Sequence, residues 1–197
     1  AGAQFIHLSQ NGNEISIGNQ GYYLSDSTKK LTIEQVSSEP VSLSFDKSEK
    51  LILNFQTTRV VIWFRSNLVC DESGKYFIRI VPQLIDHVTF YSFKDSEWST
   101  QEAGYAKWDQ PKSYNGPNWV FGVHGEKGDS IPIMIRIASD MPIIFTVHAG
   151  DAVGLQGAII PLTIFNGIYV GIMLLMILYN MFLFITNRQL VYLYYRM

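Results

Sequence analysis

Trp63 and Arg65 stand two residues apart in Ile62-Trp63-Phe64-Arg65-Ser66-Asn67-Leu68, a run that reads as a β-strand. Alternate side chains of a strand share a face, so Trp63, Arg65 and Asn67 lie opposite Ile62 and Phe64. An indole beside a guanidinium is chemistry suited to a sugar or another small polar ligand. The ring buries an apolar surface, and the guanidinium donates several directed hydrogen bonds. The same alternation sets Tyr91 with His87 and Thr89, and sets Arg136 with Pro132 and Met134 opposite Ile131, Ile133, Ile135 and Ile137. A face combining Trp63, Arg65, Tyr91 and Arg136 is the first candidate site. The competing assignment makes the aromatics ordinary half-buried sheet residues and the arginines rim groups.

A second candidate is the segment holding Trp98, Tyr105, Trp108, Tyr114 and Trp119, with Asp109, Gln110 and Asn115 among them. It could form a stacking platform with polar partners, or it could staple a long loop onto the domain. Trp108 and Trp119 are carried with the first four residues as candidate ligand-binding positions. Catalytic chemistry finds no comparable pattern. His7, His87, His124 and His148 are scattered without metal-ligand spacing. No nucleophile elbow, zinc-protease motif or phosphate-cradling glycine loop is present. Cys70 is the single cysteine, which excludes an internal disulfide and a cysteine metal centre. The net charge of -2 and the lack of a dense Lys/Arg cluster argue against a nucleic-acid partner. The expectation is no cofactor and no enzymatic activity in this segment.

The elements that must position these residues are strands. Runs rich in β-branched and aromatic residues occur at 41–45, 51–55, 60–68, 76–81, 87–93, 119–123, 131–137 and 143–148. Turn residues separate them, as in Asp71-Glu72-Ser73-Gly74 and Gly116-Pro117-Asn118. This spacing predicts an all-β, jelly-roll-like β-sandwich. Thr32-Ile33-Glu34-Gln35 fits a capping box and predicts one short helix. Residues 95–117 show no alternation and read as a long loop, with room for a short strand.

From Ala152 to Asn187 no residue is charged, and residues 164–184 are almost unbroken apolar and aromatic. A bilayer core of about 30 Å needs roughly 20 such residues in a helix. The expected layout is a sandwich domain over 1–152, a connector over 153–163, a transmembrane α-helix over 164–186, and a cytoplasmic turn leading into the start of a second span over 187–197. Gly154, Gly157 and Pro161 suggest a hinge in the connector. An interfacial tail is the alternative for the last segment, since Tyr favours the membrane boundary. Arg188 puts positive charge at the end of the span, so by the positive-inside tendency that end is cytoplasmic and the large domain lies outside. Gly167-x-x-x-Gly171 permits close helix approach, and Asn180 could hydrogen-bond across helices.

Read in order, several runs resemble the bacterial seven-transmembrane receptors with diverse intracellular signalling modules, in the branch with the type 2 extracellular domain. They are Tyr22-Tyr23-Leu24-Ser25-Asp26, Leu31-Thr32-Ile33-Glu34-Gln35-Val36, the Trp63–Arg65 strand, and Ile85-Asp86-His87-Val88-Thr89-Phe90-Tyr91. Ile133-Met134-Ile135-Arg136-Ile137-Ala138-Ser139 before Met141-Pro142 belongs with them. So do Gly167-Ile168-Tyr169-Val170-Gly171, Leu178-Tyr179-Asn180 and Tyr192-Leu193-Tyr194-Tyr195 near the end. The resemblance implies a jelly roll like carbohydrate-binding modules in the periplasm of a multi-pass inner-membrane protein. It implies sensing of a small polar ligand such as a carbohydrate, and a cytoplasmic output module such as a diguanylate cyclase or histidine kinase. Arg196 departs from the apolar pattern expected at the second span, and residues 94–118 align with nothing. A module that docks another protein, or forms a homodimer, without a small ligand is the alternative function.

Overall fold

The structure is a computed structural model that describes residues 5–38, 44–55, 60–82, 84–107 and 118–187. Trp108, the rest of the loop at 109–117, most of the expected strand at 41–45 and the expected second span lie outside the described residues.

In chain order the elements are β1 (Phe5–Leu8), β2 (Glu14–Ser16), β3 (Tyr22–Asp26), α1 (Ile33–Ser37), β4 (Asp46–Lys47), β5 (Leu53–Phe55) and β6 (Val61–Cys70). They continue with β7 (Gly74–Val81), β8 (His87–Lys94), β9 (Glu97–Ala103), β10 (Trp119–Gly125), β11 (Ser130–Ala138), β12 (Ile143–Gly150) and α2 (Ala152–Asn187). The chain divides into two compact units, Ala1–Gly157 and Ala158–Met197.

The first unit is all-β, a sandwich of two sheets, as expected. One sheet is seven-stranded in the order β4-β3-β6-β11-β8-β9, with β1 also on β6. The other is five-stranded in the order β10-β7-β12-β2, with β5 also on β12. Pairing is antiparallel except for β1, which runs parallel to β6 along Asn67–Cys70 while β3 occupies the same strand along Val61–Arg65. The alternation that predicted the strands builds the core. Ile62, Phe64 and Leu68 of β6, Phe90 of β8 and Ile131, Ile133, Ile135 and Ile137 of β11 meet Tyr76, Ile78, Ile80, Phe121, Phe145 and Val147 of the other sheet. Phe90 and Phe121 stack across it with ring centroids 5.1 Å apart.

The polar run at 97–103 is a strand rather than part of a loop. β9 pairs with β8 from Lys94↔Glu97 to Val88↔Ala103. Its two-residue turn, Asp95-Ser96, holds both residues at positive φ, 54° and 67°. That is the backbone of the hairpin turn whose twist matches the flanking strands. No residue of this edge strand is fully buried, so it needs no apolar alternation and the sequence pattern does not announce it. α1 forms where its capping box places it, with the Gln35 side chain accepting from the Thr32 amide at 3.0 Å.

Residues 153–163, the expected connector, are helical and belong to α2. Asp151 fixes the start of that helix. Its buried carboxylate accepts from the Gly154 amide at 2.7 Å, capping the first turn, and from the Gly12 amide of the β1–β2 loop at 2.8 Å. Gly154 allows this junction, because a Cβ there would meet the Asn13 carbonyl carbon at 2.5 Å.

α2 is apolar all round. Residues from Ala152 to Thr186 have a mean hydropathy of 2.3 in their most apolar window, with none of that window buried. The helix is long and apolar enough to cross a membrane. Asn180 donates to the Met176 carbonyl of its own helix at 2.9 Å, and Thr163 and Thr186 likewise bond back to Ile159 and Phe182.

Candidate functional site

Cross-strand register sets out the outer face of the seven-stranded sheet row by row. One row runs Lys47, Tyr22, Arg65, Met134, Tyr91, Thr100 across β4, β3, β6, β11, β8 and β9. The neighbouring row runs Leu24, Trp63, Arg136, Thr89, Glu102. Directly paired residues project to the same side of a sheet. Trp63, Arg65, Tyr91 and Arg136 therefore share one face.

Their contacts are aromatic and cationic. The rings of Trp63 and Tyr91 stack at 5.8 Å with planes 22° apart. Arg136 lies over the Trp63 ring at 6.0 Å and donates to the Lys29 carbonyl at 3.5 Å, the long limit for a hydrogen bond. Arg65 lies over Phe45 at 4.5 Å and over Tyr22 at 5.3 Å. Burial lowers the Arg65 pKa, and Tyr22 partly opposes that shift. The side chain stays a cation, as arginine does in proteins. Burial likewise pushes the Tyr91 phenol up, with Arg136 opposing.

α1 covers part of this face. Ile33, Val36 and Phe45 pack with Val61, Trp63 and Met134 into a second, smaller core outside the sandwich. Trp63 is 0% exposed. Its indole Nε1 is buried with no hydrogen-bond partner among the described residues. Trp63 is thus a floor under the face rather than an exposed plate. Arg65, Tyr91 and Arg136 are half-buried and reach its surface. Trp119 is not on this face: it stands on the other sheet, points between the sheets and is 1% exposed.

Sequence reasoning missed Tyr22 and Phe45, which hold Arg65, and it missed the cover that α1 provides. Alternation in Tyr22-Tyr23-Leu24 could have placed Tyr22. Nothing local marks Phe45. A separate cleft of about 220 Å³ lies at the β3–β4–β5 edge, lined among others by Tyr23, Lys47, Lys50, Asn54 and Phe55. Among the described residues no three His, Cys, Asp or Glu side chains converge as a metal site.

The outer face of the five-stranded sheet carries a closed ion cluster. Arg79 of β7 grips Glu14 of β2 with two nitrogens, Nε to Oε1 at 2.7 Å and Nη2 to Oε2. His148 of β12 lies 3.8 Å from the same carboxylate and contacts the Thr146 hydroxyl at 3.0 Å.

The family described as 7TMR-DISM extracellular 2 matches residues 18–150. No curated protein matches the chain. A solved β-glucosidase from Kluyveromyces marxianus is similar over 66% of this chain and 16% of that chain, at 14% identity and a TM-score of 0.41. The β-glucosidase from the same organism in complex with glucose is similar over 66% and 15%, at 12% identity and a TM-score of 0.38. A GH31 α-xylosidase from Xanthomonas citri is similar over 70% and 17%, at 10% identity and a TM-score of 0.32. This chain spans less than a fifth of the length of each of these enzymes. The family match covers well over half of the chain and every strand from β3 to β12, and on it the chain belongs to the 7TMR-DISM extracellular 2 family, an extracellular domain of seven-transmembrane receptors.

Proposed function

We propose that this domain senses a small polar ligand, a carbohydrate or a molecule of similar chemistry, on the outer face of its seven-stranded sheet. In this reading the domain stands in the periplasm of a bacterial inner-membrane receptor with several spans. α2 is the first span and passes the signal to a cytoplasmic module such as a diguanylate cyclase or histidine kinase. The observation that carries the reading is the Trp63–Tyr91 stack flanked by Arg65 and Arg136, an aromatic floor with cationic donors at its surface. A ligand can shift the receptor between two states only by as much as its affinities for them differ. The coupling element is Asp151, which ties the first turn of α2 to the β1–β2 loop.

A thermal-shift screen of glycans and small metabolites on the chain in detergent finds the ligand. The Arg65→Gln variant then tests the face. Loss of a charge-assisted hydrogen bond costs about 1.5–3 kcal/mol, roughly tenfold or more in affinity. Unchanged ligand affinity in a folded Arg65→Gln protein sinks this site. Protein docking is the second reading. It draws on exposed Leu84, Tyr105 and Met141, gathered near Asp86, which accepts from Ser139 Oγ at 2.7 Å and from the Asp140 amide at 2.8 Å. Concentration-dependent self-association abolished by Met141→Asp and Leu84→Asp would favour docking.

A further inference from the structure

Arg65 carries five N–H donors, and no side chain or carbonyl among the described residues accepts from them. Its contacts are the ring faces of Phe45 and Tyr22. Among the described residues no carboxylate forms an ion pair with it. A half-buried guanidinium has given up part of its water without gaining an acceptor. That is costly until an acceptor arrives.

Two neighbours point the same way. Trp63, one alternation step along β6, holds a buried indole N–H that also lacks a partner among the described residues. Lys47 stands in the Tyr22–Arg65 row at its edge and has no ion pair among the described residues. The chain as a whole is slightly acidic, so these cations are a local feature and not part of a general basic surface.

We infer that Arg65 is the anchor of an oxyanion subsite, and that the ligand of this face is a small molecule bearing a carboxylate, phosphate or sulfate group. The inference rests on the sensing reading above and narrows its ligand class. A planar fork of N–H donors matches two oxygens of such a group, and a charged acceptor makes a bond roughly twice as strong as a neutral hydroxyl does. The Phe45 and Tyr22 faces hold the guanidinium in place, which limits the entropy lost when it binds. A neutral sugar would leave the charge without its counterpart.

The test uses the whole chain, ¹⁵N-labelled in detergent micelles, and reads the Arg65 Nε–H and Trp63 Nε1–H signals by NMR. Sodium acetate, sodium phosphate, glucose and sodium chloride are titrated at matched ionic strength. The expected result is a saturable shift of the Arg65 signal with acetate or phosphate and none with chloride. Affinity falls about tenfold or more in Arg65→Gln and is partly kept in Arg65→Lys, which retains the charge but not the fork. An acetate-only response assigns a carboxylate ligand, and a phosphate-only response assigns a phosphate or sulfate ester. An Arg65 signal that follows neither oxyanion beyond the chloride control overturns the subsite. So does equal oxyanion affinity in parent and Arg65→Gln. Glucose moving the Trp63 signal while the oxyanions move nothing overturns the anionic class and leaves the sensing reading standing. If Arg65 binds oxyanions but Arg65→Gln leaves every ligand from the thermal-shift screen unaffected, the subsite stands and the sensing reading falls.

Discussion

Two arginines stand on the two outer faces of the sandwich, and their surroundings are opposite. Arg79 on the five-stranded sheet is gripped by both oxygens of Glu14, with only 11% and 10% of the two side chains exposed. Arg65 on the seven-stranded sheet lies between two rings and has no acceptor among the described residues. A satisfied buried ion pair is a structural joint, here between β2 and β7, whereas an unsatisfied one at a surface is open to a ligand. The comparison sets Arg79 as a structural joint against Arg65, for which a binding role is proposed.

The largest effect should come from breaking the joint. Glu14→Ala leaves the Arg79 charge buried without its counterion, a change that typically costs about 3–5 kcal/mol. Chemical denaturation followed by tryptophan fluorescence measures it. A cost below about 1 kcal/mol, the range of exposed pairs, would mean that the cluster behaves as a surface ion pair and would remove half of the contrast.

Next in size is the junction at Asp151. Asp151→Ala removes the cap on α2 and the acceptor for the Gly12 amide, a loss of about 1–3 kcal/mol. Hydrogen exchange should quicken at Gly12 and Gly154 more than at the β6–β11 pairing. Uniform acceleration along the sheet would show that the junction does not act locally.

The contrast between the two faces was only partly legible in the sequence. β6, β8 and β11 could be read because one side of each is committed to the intersheet core, so apolar residues recur at period two and the opposite side follows. That is why Trp63, Arg65, Tyr91 and Arg136 could be grouped before any pairing was known. β1 and β2 are too short to show a period, and β9 is a polar edge strand. Trp63 and Trp119 look alike in sequence. One lies under α1 on the outer face and the other between the sheets, a difference set by sheet assignment rather than by the residues around them. The α1 capping box could be read from four residues, but where α1 packs could not. Glu14 and Arg79 lie 65 residues apart, and no local pattern pairs them. Arg65 lacks an acceptor among the described residues because of what its neighbours in space are, so this property too was out of reach.

The pH dependence of stability sharpens the contrast from the side of the ion cluster. Burial lowers the His148 pKa below the ordinary value of 6.5, with Glu14 opposing and Arg79 adding to the shift. The folded protein therefore holds His148 neutral where the unfolded chain has begun to bind a proton. Below about pH 6.5 the unfolded state takes up more protons, so stability falls as pH falls until the folded pKa is passed, and above that window the group contributes no slope. Asp86, held low by Ser139 Oγ and the Asp140 amide, adds its own loss only below its ordinary value of 3.8. Melting temperatures at pH 7.5, 6.5 and 5.5 should decline through the upper window, and His148→Gln should flatten that decline. An unchanged slope in His148→Gln would assign the window to another group.

The smallest effect should belong to Arg65, and it is the most informative because it is small. Arg65→Met keeps a long side chain against Phe45 and Tyr22 and removes the charge. The variant loses two cation–π contacts, about 0.5–1 kcal/mol each at sites of this kind. It also escapes the cost of holding a partly dehydrated charge without an acceptor, and replacing such a charge by an apolar side chain of similar volume is often neutral or stabilising. The two effects oppose, so the unliganded stability should stay within about 0.5 kcal/mol of the parent, the range of ordinary surface changes. Ligand restores the difference. At a concentration a hundredfold above Kd, binding stabilises the parent by about 2.7 kcal/mol, and Arg65→Met should show little of that gain. If Arg65→Met instead costs as much without ligand as Glu14→Ala does, Arg65 is a second structural joint that holds Phe45 and the α1 region on the sheet. The two faces would then differ in partners and not in purpose.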